Sequence, residues 1–191
     1  MDIKEAVFVK GVVAMSDPIF NDGLPQIAFI GRSNVGKSSI INSLLGRTKL
    51  VKVGKKPGKT TEINFFKINN IFYLVDLPGY GYAKVTLEKK RKIESMIHSY
   101  ITHKNFTPYT LVLVIDIKAG VTALDKEIIT MLKKYKKEYT VLINKSDALN
   151  QKEGAKQIQK ISRDAENENI IVYSAKTKKN ANLVLEALLE E

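Results

Sequence analysis

The sequence predicts a three-layer α/β/α fold, in which helices cover both faces of a mostly parallel, six-stranded sheet. The first observation is that short apolar runs alternate with segments of helical periodicity along the 191 residues. The second is the pair Asn69-Asn70 between two strand-like runs, which predicts a tight hairpin and therefore one antiparallel edge strand. The length suits a single domain over residues 1–191, with about residues 1–22 as an N-terminal extension.

The individual elements follow from the same patterns, taken in chain order. Apolar runs predict six strands, near residues 26–30, 62–68, 71–75, 111–116, 139–144 and 170–173. Helical spacing of apolar residues predicts five helices, near residues 37–46, 86–103, 123–137, 151–167 and 180–190. Thr122 and Asp125 have the spacing of a capping box, so we expect the third helix to begin directly after Thr122.

Residues 31–38 fit the pattern GxxxxGK[ST] and follow the first apolar run, which is the context of a phosphate-binding loop. Such a loop turns its backbone N–H groups toward an anion, and its glycines allow the close approach. We expect Lys37 to reach the β- and γ-phosphates of a nucleotide and the Ser38 hydroxyl to bind Mg²⁺. The predicted nucleotide contacts are Gly31, Arg32, Ser33, Asn34, Val35, Gly36, Lys37, Ser38 and Ser39.

Asp76, Leu77, Pro78 and Gly79 form a second motif, DxxG, at the end of an apolar run, and all four are predicted to contact the nucleotide. A carboxylate at the carboxyl end of a buried strand suits Mg²⁺ bound through water, which is the role we predict for Asp76. Gly79 offers an N–H that a γ-phosphate can attract and a diphosphate cannot. The same letters are a common turn signal, so this motif depends on the others for support.

The third motif is NKxD, formed by Asn144, Lys145, Ser146 and Asp147. Guanine presents its N1–H and N2–H₂ donors side by side, and a carboxylate such as Asp147 accepts both, whereas adenine has no such pair. We expect the stem of Lys145 to lie along the purine and Asn144 to tie this loop to the phosphate-binding loop.

Two weaker segments complete the predicted nucleotide site. Ser174, Ala175 and Lys176 follow the last strand-like run, where a backbone N–H near Ala175 would contact guanine O6. The loop before the second strand supplies a threonine hydroxyl for Mg²⁺ and the γ-phosphate; we assign Thr60, with Thr61 as the alternative. The contacts predicted in that loop are Gly58, Lys59, Thr60 and Thr61.

The segments GRSNVGKSS, PGKT followed by INFF, DLPGYGYA, NKSD and SAK together resemble the EngB family of bacterial GTPases, from about residue 5 to the end. The resemblance implies a single P-loop GTPase G domain that binds GTP with Mg²⁺ and acts in assembly of the large ribosomal subunit. It also implies a role in normal cell division and septation. Thr61 stands where many members have glutamine, which leaves Thr61 open as the metal ligand.

Tyr80 follows the DxxG motif where many G proteins carry the glutamine that orients the attacking water. We therefore expect slow intrinsic hydrolysis, well below about one turnover per second. Asn34 is a candidate for holding K⁺, as an asparagine does at this place in related G domains; alternatively it only tolerates the loop's backbone angles. Arg32, in the first turn of the loop, suits a surface contact better than an arginine finger. The catalytic candidates are Lys37, Thr60, Gly79 and Asn34.

Glycines next to Tyr80 and Tyr82 allow large backbone changes and predict that residues 76–86 are mobile or poorly ordered without GTP. Exposed tyrosines at these positions would suit stacking on a partner. Tyrosines packed inside the protein are the equally weighted alternative.

Basic residues exceed acidic ones by 31 to 20, which gives a net charge of +11 and predicts a polyanionic partner. The partner we expect is the large ribosomal subunit, through rRNA phosphates and ribosomal proteins; lysine enrichment from genome bias or heat adaptation is the competing explanation. Lysine and arginine cluster at Lys52, Lys55, Lys56 and Lys59; at Lys89, Lys90, Arg91 and Lys92; at Lys133, Lys134, Lys136 and Lys137; and at Lys176, Lys178 and Lys179.

The absence of cysteine and the presence of only two histidines exclude a disulfide framework and a zinc site of the usual kind. No signal-peptide pattern and no run of eighteen apolar residues occur in the sequence, so we expect no membrane span. The expected protein is a cytoplasmic monomer.

Three functional hypotheses follow. The first is a GTPase switch in ribosome assembly, and the second is a nucleotide-sensing scaffold in septation in which hydrolysis only resets the scaffold. The third, a P-loop ATPase or nucleoside kinase, is disfavoured by the NKxD motif.

Overall fold

The structure is a computed structural model that describes residues 2–46, 62–82, 86–103, 110–178 and 181–189. The strands β1 to β7 are Ala6–Val12, Gln26–Gly31, Ile63–Ile68, Phe72–Asp76, Thr110–Asp116, Thr140–Asn144 and Ile170–Val172. The helices α1 to α5 are Lys37–Leu44, Leu87–Thr102, Ala123–Lys134, Gln151–Ala165 and Ala181–Leu189. Short 3₁₀ turns lie at Pro18–Asn21 and Ser146–Ala148.

The strands form one sheet in the order β1-β3-β4-β2-β5-β6-β7, and the predicted fold class is confirmed. The predicted number of six strands is wrong, because the segment expected to be an extension contributes β1. This strand pairs antiparallel with β3, placing Ala6 opposite Ile68 and Val12 opposite Ile63. The antiparallel strand β3 therefore lies inside the sheet and not at its edge. Four consecutive residues of β1 are exposed, so its hydrophobic pattern is too weak to predict a buried strand.

The predicted hairpin between β3 and β4 is confirmed. Asn69 and Asn70 have φ values of 47° and 56°, as a two-residue type I′ turn requires. The side-chain oxygen of Asn69 also accepts the backbone N–H groups of Lys4 and Glu5, each at 2.9 Å. The turn thereby holds the chain that leads into β1.

Helices α3 and α4 begin as predicted but end earlier. The capping box is confirmed, since the side chains of Thr122 and Asp125 each bond to the other's backbone N–H. Lys136 and Glu166, just beyond the two helices, each have φ 50°, a left-handed conformation that stops an α-helix. Across the residues described above, no helix is long and apolar enough to cross a membrane.

Helices cover both faces of the sheet, and each face has its own apolar cluster. Ile97 of α2, Ile128 of α3 and Ile161 of α4 belong to one cluster, whereas Ile41 of α1 and Leu185 of α5 belong to the other. Because helices bury both faces of the central strands, side chains that point to either face are apolar, and these strands appear in the sequence as almost continuous apolar runs.

The parallel strands β2, β4, β5 and β6 all end at the same edge of the sheet. The register places Phe29 of β2 beside Asp76 of β4, and Asp116 of β5 beside Asn144 of β6. In open α/β sheets this edge is where ligands bind. The motifs identified in the sequence therefore converge here.

Candidate functional site

The loop at residues 31–38 joins β2 to α1, and its conformation requires glycine at two positions. Gly36 has φ 104° at the start of α1, and Asn34 has φ 70°. A Cβ on Gly31 would lie 2.7 Å from a main-chain oxygen of β5, and a Cβ on Gly36 would overlap the side-chain amide of Asn144. Both glycines therefore let the loop lie directly on the ends of the neighbouring strands.

Asn144 is buried and joins three segments that the sequence predicted separately. Its Nδ2 donates to the carbonyl oxygen of Val35 at 2.9 Å, and its Oδ1 accepts the N–H of Ala175 at 3.1 Å. The predicted tie between the NKxD motif and the phosphate-binding loop is present. The position of Ala175 is fixed by the same side chain.

Lys145 extends back to the same loop from a left-handed backbone conformation, with φ 63°. Its Nζ donates to the carbonyl oxygen of Asn34 at 2.8 Å and to Oδ2 of Asp116 at 2.6 Å. Two acceptors at the tip of the chain fix the direction of its aliphatic stem. The contact of this stem with a purine remains a prediction.

The Asp147 carboxylate is held by the segment at residues 174–176. The Ser174 hydroxyl donates to Oδ1 at 2.6 Å, and the Lys176 ammonium lies 3.6 Å from Oδ2. The Ser174 hydrogen bond is the main cause that lowers the pKa of Asp147, and Lys176 adds to it. An ionised carboxylate with a fixed orientation suits a pair of adjacent donors such as those of guanine.

At the other end of the site, Lys37 is turned onto the loop that carries it. Its Nζ donates to the carbonyl oxygens of Gly31 at 2.9 Å and Arg32 at 3.3 Å. Burial lowers the pKa of the Lys37 ammonium, and the nearby Asp76 charge opposes that change. The ammonium thus lies on the carbonyl oxygens of the loop and near Asp76 at the end of β4.

Ser38 and Asp76 are brought together, as expected for a shared metal ion. The Ser38 hydroxyl donates to Asp76 Oδ2 at 2.6 Å, while Oδ1 is buried and has no hydrogen-bond partner among the described residues. Burial raises the pKa of the Asp76 carboxyl, and Lys37 and the Ser38 hydroxyl oppose the rise. A hydroxyl, a carboxylate and an unbonded buried oxygen fit the oxygen ligands that Mg²⁺ prefers.

Gly79 lies against the phosphate-binding loop. A Cβ at this position would be 2.9 Å from both the nitrogen and the Cα of Ser33, and 3.0 Å from Lys37 Nζ. Only glycine fits without displacing the loop. The DxxG motif is therefore in direct contact with the residues predicted to bind phosphate.

Tyr80 is packed inside the protein, with a side chain that is 5 % exposed, so the idea that it is an exposed stacking residue is wrong. Its hydroxyl donates to Oδ1 of Asp125 at 2.7 Å, on the first turn of α3. Arg32 is half-buried beside Gly81, and its Nε has no partner among the residues that the structure describes.

Some predicted site residues contribute in other ways or lie elsewhere. Val35 and Leu77 have buried side chains in the two apolar clusters, so only their backbones face the site. Pro78 is buried and Ser39 is half-buried, and the backbone N–H of Ser146 donates to the Tyr173 carbonyl at 3.1 Å. The predicted contacts outside the described residues are Gly58, Lys59, Thr60 and Thr61.

Sequence reasoning missed two aspartates that hold site residues. Asp116 binds Lys145, and Asp125 binds Tyr80. Asp116 could have been found as the first polar residue after the apolar run of β5, at the same edge as the motifs. The sequence pattern identifies Asp125 only as a helix cap, and nothing in the sequence signals its second partner.

A phosphate-binding loop, a DxxG aspartate facing it and an NKxD carboxylate on one edge of a mostly parallel sheet define a P-loop GTPase. The comparisons agree with this class. Residues 26–145 match the family described as 50S ribosome-binding GTPase, and residues 103–191 match the elongation factor Tu GTP binding domain.

Similar proteins narrow the class to a family. The probable GTP-binding protein EngB of Thermoanaerobacter pseudethanolicus is 42% identical over 166 residues, which cover 86% of this chain and 86% of that protein. The probable GTP-binding protein EngB of Fusobacterium nucleatum is 38% identical, covering 100% of this chain and 98% of that protein. A crystal structure of a probable GTP-binding protein engB superposes with a TM-score of 0.72 at 29% sequence identity. The match covers 87% of this chain and 100% of that chain. The chain belongs to the EngB family of GTP-binding proteins.

Proposed function

We propose that this GTPase is a switch in the assembly of the large ribosomal subunit, built as a single G domain over residues 1–191. The observation that carries the proposal is the match of residues 26–145 to the family described as 50S ribosome-binding GTPase. That range includes the phosphate-binding loop and the DxxG motif, the parts of a G domain that respond to the γ-phosphate. Binding to the ribosomal particle would then depend on whether GTP or GDP is bound.

The charge of the chain supports a ribosomal partner. A net charge of +11 favours association with the phosphates of rRNA, in a manner that weakens as salt rises. Lys90, Arg91 and Lys92 are exposed near the start of α2, shortly after the DxxG motif, and Lys133 and Lys134 are exposed at the end of α3. The group on α2 is close in sequence to the residues expected to change with the nucleotide, so docking and nucleotide state would influence each other.

In this proposal the two ends of the site divide the nucleotide between them. Asp147 accepts the N1–H and N2–H₂ of guanine, while Lys37 and the loop N–H groups bind the phosphates. Mg²⁺, when bound, neutralises charge on the phosphates. Ser38 would be the direct ligand and Asp76 would act through water, with Thr60, or alternatively Thr61, completing the ligand set.

Hydrolysis of GTP to GDP and phosphate is expected to be slow without a partner. The Tyr80 hydroxyl donates to Asp125, so it is not available to orient an attacking water. Asn34 is proposed to help hold a K⁺ ion that stabilises the developing charge. GTP hydrolysis should then be faster in potassium than in sodium buffer, and Asn34→Gly, which keeps the positive φ, should remove the difference. Equal rates in both buffers, with and without ribosomes, would contradict the role of K⁺.

Pelleting with 50S and 70S particles across a range of salt tests the ribosomal role. We expect more of the chain to pellet with 50S in the presence of a GTP analogue than with GDP, and the bound fraction to fall with salt. Replacing both Arg91 and Lys92 with glutamate should weaken pelleting with 50S particles more than the matched replacement of Lys156 and Lys160 on α4 with glutamate. Equal pelleting with both nucleotides would favour a scaffold in septation instead.

A requirement for normal cell division and septation is part of the same proposal, as a consequence of impaired ribosome assembly. Depletion of the protein should lead to accumulation of large-subunit precursors before septation fails, and the opposite order would contradict this. We expect the chain to act as a monomer in the cytoplasm, where ribosomal subunits assemble.

A further inference from the structure

An exposed tyrosine lies among lysines at the end of helix α3. Tyr135 is 36 % exposed, and two lysines flank it on each side, at residues 133–134 and 136–137. Lys133 pairs with Glu166, whereas the other three lysines form no ion pair within the described part of the chain. The ring is therefore surrounded by cations that have no anionic partner of their own.

The backbone fixes the position of Tyr135. The N–H of Lys136 donates to the carbonyl oxygen of Lys133 at 3.0 Å, and the N–H of Lys137 donates to that of Leu132 at 2.9 Å. Together with the φ of 50° at Lys136, these hydrogen bonds form a Schellman motif, which closes the helix. A hydrogen-bonded turn thus presents the ring to solvent.

Side chains from α2 and α3 fix the orientation of the ring. Nε2 of His98 on α2 lies 3.2 Å from the hydroxyl oxygen of Tyr135, and the two rings meet edge to face with centroids 5.7 Å apart. Nζ of Lys134 lies over the Tyr135 ring, 5.7 Å from its centroid, within the range of a cation–π contact. A ring that is oriented in advance loses little conformational entropy when a flat ligand stacks on it.

The combination of ring and charges points to one kind of ligand. Lysines near the end of a helix offset the negative end of its dipole, so the charges alone do not indicate a partner. The dipole does not explain the exposed ring. Surfaces that bind unpaired nucleotides use both features, because the base stacks on an aromatic ring while cations contact the phosphates. An acidic peptide would use the lysines and not the ring.

Acidic residues limit where a polyanion can lie on this side of the molecule. Glu94 of α2 and Glu127 of α3 line the groove between the two helices, which extends to Tyr80. Both carboxylates repel phosphate, so the groove disfavours RNA. The favoured position is the end of α3, around Tyr135.

We propose that residues 134–137 bind an unpaired nucleotide of RNA, with the base stacked on the Tyr135 ring and the phosphates held by the lysines. The inference rests on the proposed ribosomal role and deepens it by naming the chemistry of one contact. Stacking accepts any base, so this surface selects unpaired over paired nucleotides and not one sequence over another. A duplex keeps its bases stacked inside the helix and offers the lysines only its backbone.

Tyr135→Trp tests the stacking directly, because the chain contains no tryptophan and the new indole is the only one. Its fluorescence would be followed during titration with single-stranded oligouridylate, with a blunt-ended RNA duplex and with inorganic polyphosphate, at matched phosphate concentrations. We expect the single strand to quench the emission, while the duplex and polyphosphate leave it nearly unchanged. No quenching by the single strand, or equal changes with all three, would overturn the proposal.

Phe8→Trp is the matched control, because Phe8 is also an exposed aromatic residue, at 46 %. It lies on β1 at one edge of the sheet, whereas α3 connects β5 to β6. Oligouridylate should not quench the indole at this position. Equal quenching at both positions would show that RNA associates with the whole surface, and the role of Tyr135 would fail. GDP affinity equal to that of the unaltered chain shows that each variant is folded.

Affinity measurements separate the ring from the charges. Tyr135→Leu should weaken oligouridylate binding by about tenfold and leave its salt dependence unchanged, since stacking releases no counterions. Tyr135→Phe keeps the ring and should bind like the unaltered chain. Lys134→Gln together with Lys136→Gln should instead reduce the slope of log affinity against log salt, by about 0.7 for each lysine.

A role in closing the helix alone would change the free energy of unfolding and neither of these binding quantities. Unchanged oligouridylate affinity in Tyr135→Leu would therefore overturn the proposal. Its failure is distinguishable from failure of the ribosomal role. If the chain pellets with 50S particles but the variants at Tyr135 show neither quenching nor weaker binding, only the inference on Tyr135 fails. If oligouridylate quenches the indole but the chain does not pellet with 50S particles, the ribosomal role fails.

Discussion

At the end of the site formed by residues 144–147 and 174–176, polar side chains are bonded to one another and to the loop at residues 31–38. Asn144, Lys145 and Asp147 all have partners at 2.6 to 3.1 Å. At the other end, by contrast, one buried oxygen of Asp76 has no hydrogen-bond partner within the described part of the chain, and Lys37 is turned onto its own loop. One end is already arranged for its ligand, and the other must rearrange.

This difference separates the two properties that a G protein needs. Base selectivity depends on a fixed geometry, since a carboxylate that loses its water to a bound base without gaining two donors is left unpaired at a cost. Detection of the γ-phosphate depends on a segment with two positions, and such a segment must be held by few and breakable bonds. The predictions below test whether the base end is rigid and the phosphate end adjustable.

The largest expected effect is at the base end, with Asp147→Asn. An amide offers one donor and one acceptor where guanine requires two acceptors, so GTP affinity should fall by about a thousandfold. Affinity for xanthosine triphosphate, which has a carbonyl in place of the amino group, should rise. Calorimetric titration with both nucleotides measures the change, and unchanged GTP affinity would show that Asp147 does not bind the base.

At the phosphate end, Asp76→Asn should lower the affinity for the GTP analogue in Mg²⁺ by about thirtyfold, because the metal site loses the negative charge of the carboxylate. The same comparison in excess chelator is the control and should show little difference. Equal losses with and without Mg²⁺ would mean that Asp76 acts on the fold and not through the metal.

A smaller effect is expected at Asp116, which holds Lys145. Asp116→Asn should weaken GDP and GTP-analogue binding equally, by about fivefold for a partly exposed ion pair. In a chain that already carries Lys145→Met, Asp116→Asn should not lower nucleotide affinity further.

Asp17→Asn provides the matched control for this cycle, since Asp17 pairs with Lys10 at 2.7 Å outside the site. It should not alter nucleotide affinity. Additive effects of Asp116→Asn and Lys145→Met would indicate that Asp116 does not act through Lys145.

The smallest effect at neutral pH is expected for Ser174→Ala, which should lower GDP affinity by about threefold. The pKa of Asp147 is lowered mainly by Ser174, so the carboxylate stays ionised below the usual Asp pKa and loses its charge only as pH falls through the lowered value. Without the hydroxyl that pKa rises toward the ordinary one. GDP affinity, followed by titration from about pH 7 to pH 4, should therefore fall at a higher pH in the variant. If GDP affinity falls at the same pH in both proteins, Ser174 is not the cause of the lowered Asp147 pKa.

The sequence predicted much of this structure because motif and periodicity are local properties. The type I′ turn at Asn69 and Asn70 and the cap at Thr122 depend on residues within a few positions of each other. The edge strand β1 was missed because its neighbour in the sheet is about sixty residues away in the chain and its exposed residues carry no clear pattern. Thr60 and Thr61 remain a prediction.

The sequence alone determined the class of this protein, since the loop, DxxG and NKxD motifs each join a residue type to a chemical task at a fixed spacing. Only the tertiary structure decided which side chains support them. Tyr80 could have faced a partner or the core, and its contact with Asp125, 45 positions away, shows that it faces the core. Such pairings depend on how strands and helices pack, and that packing is set by burial over the whole sheet and by no single motif.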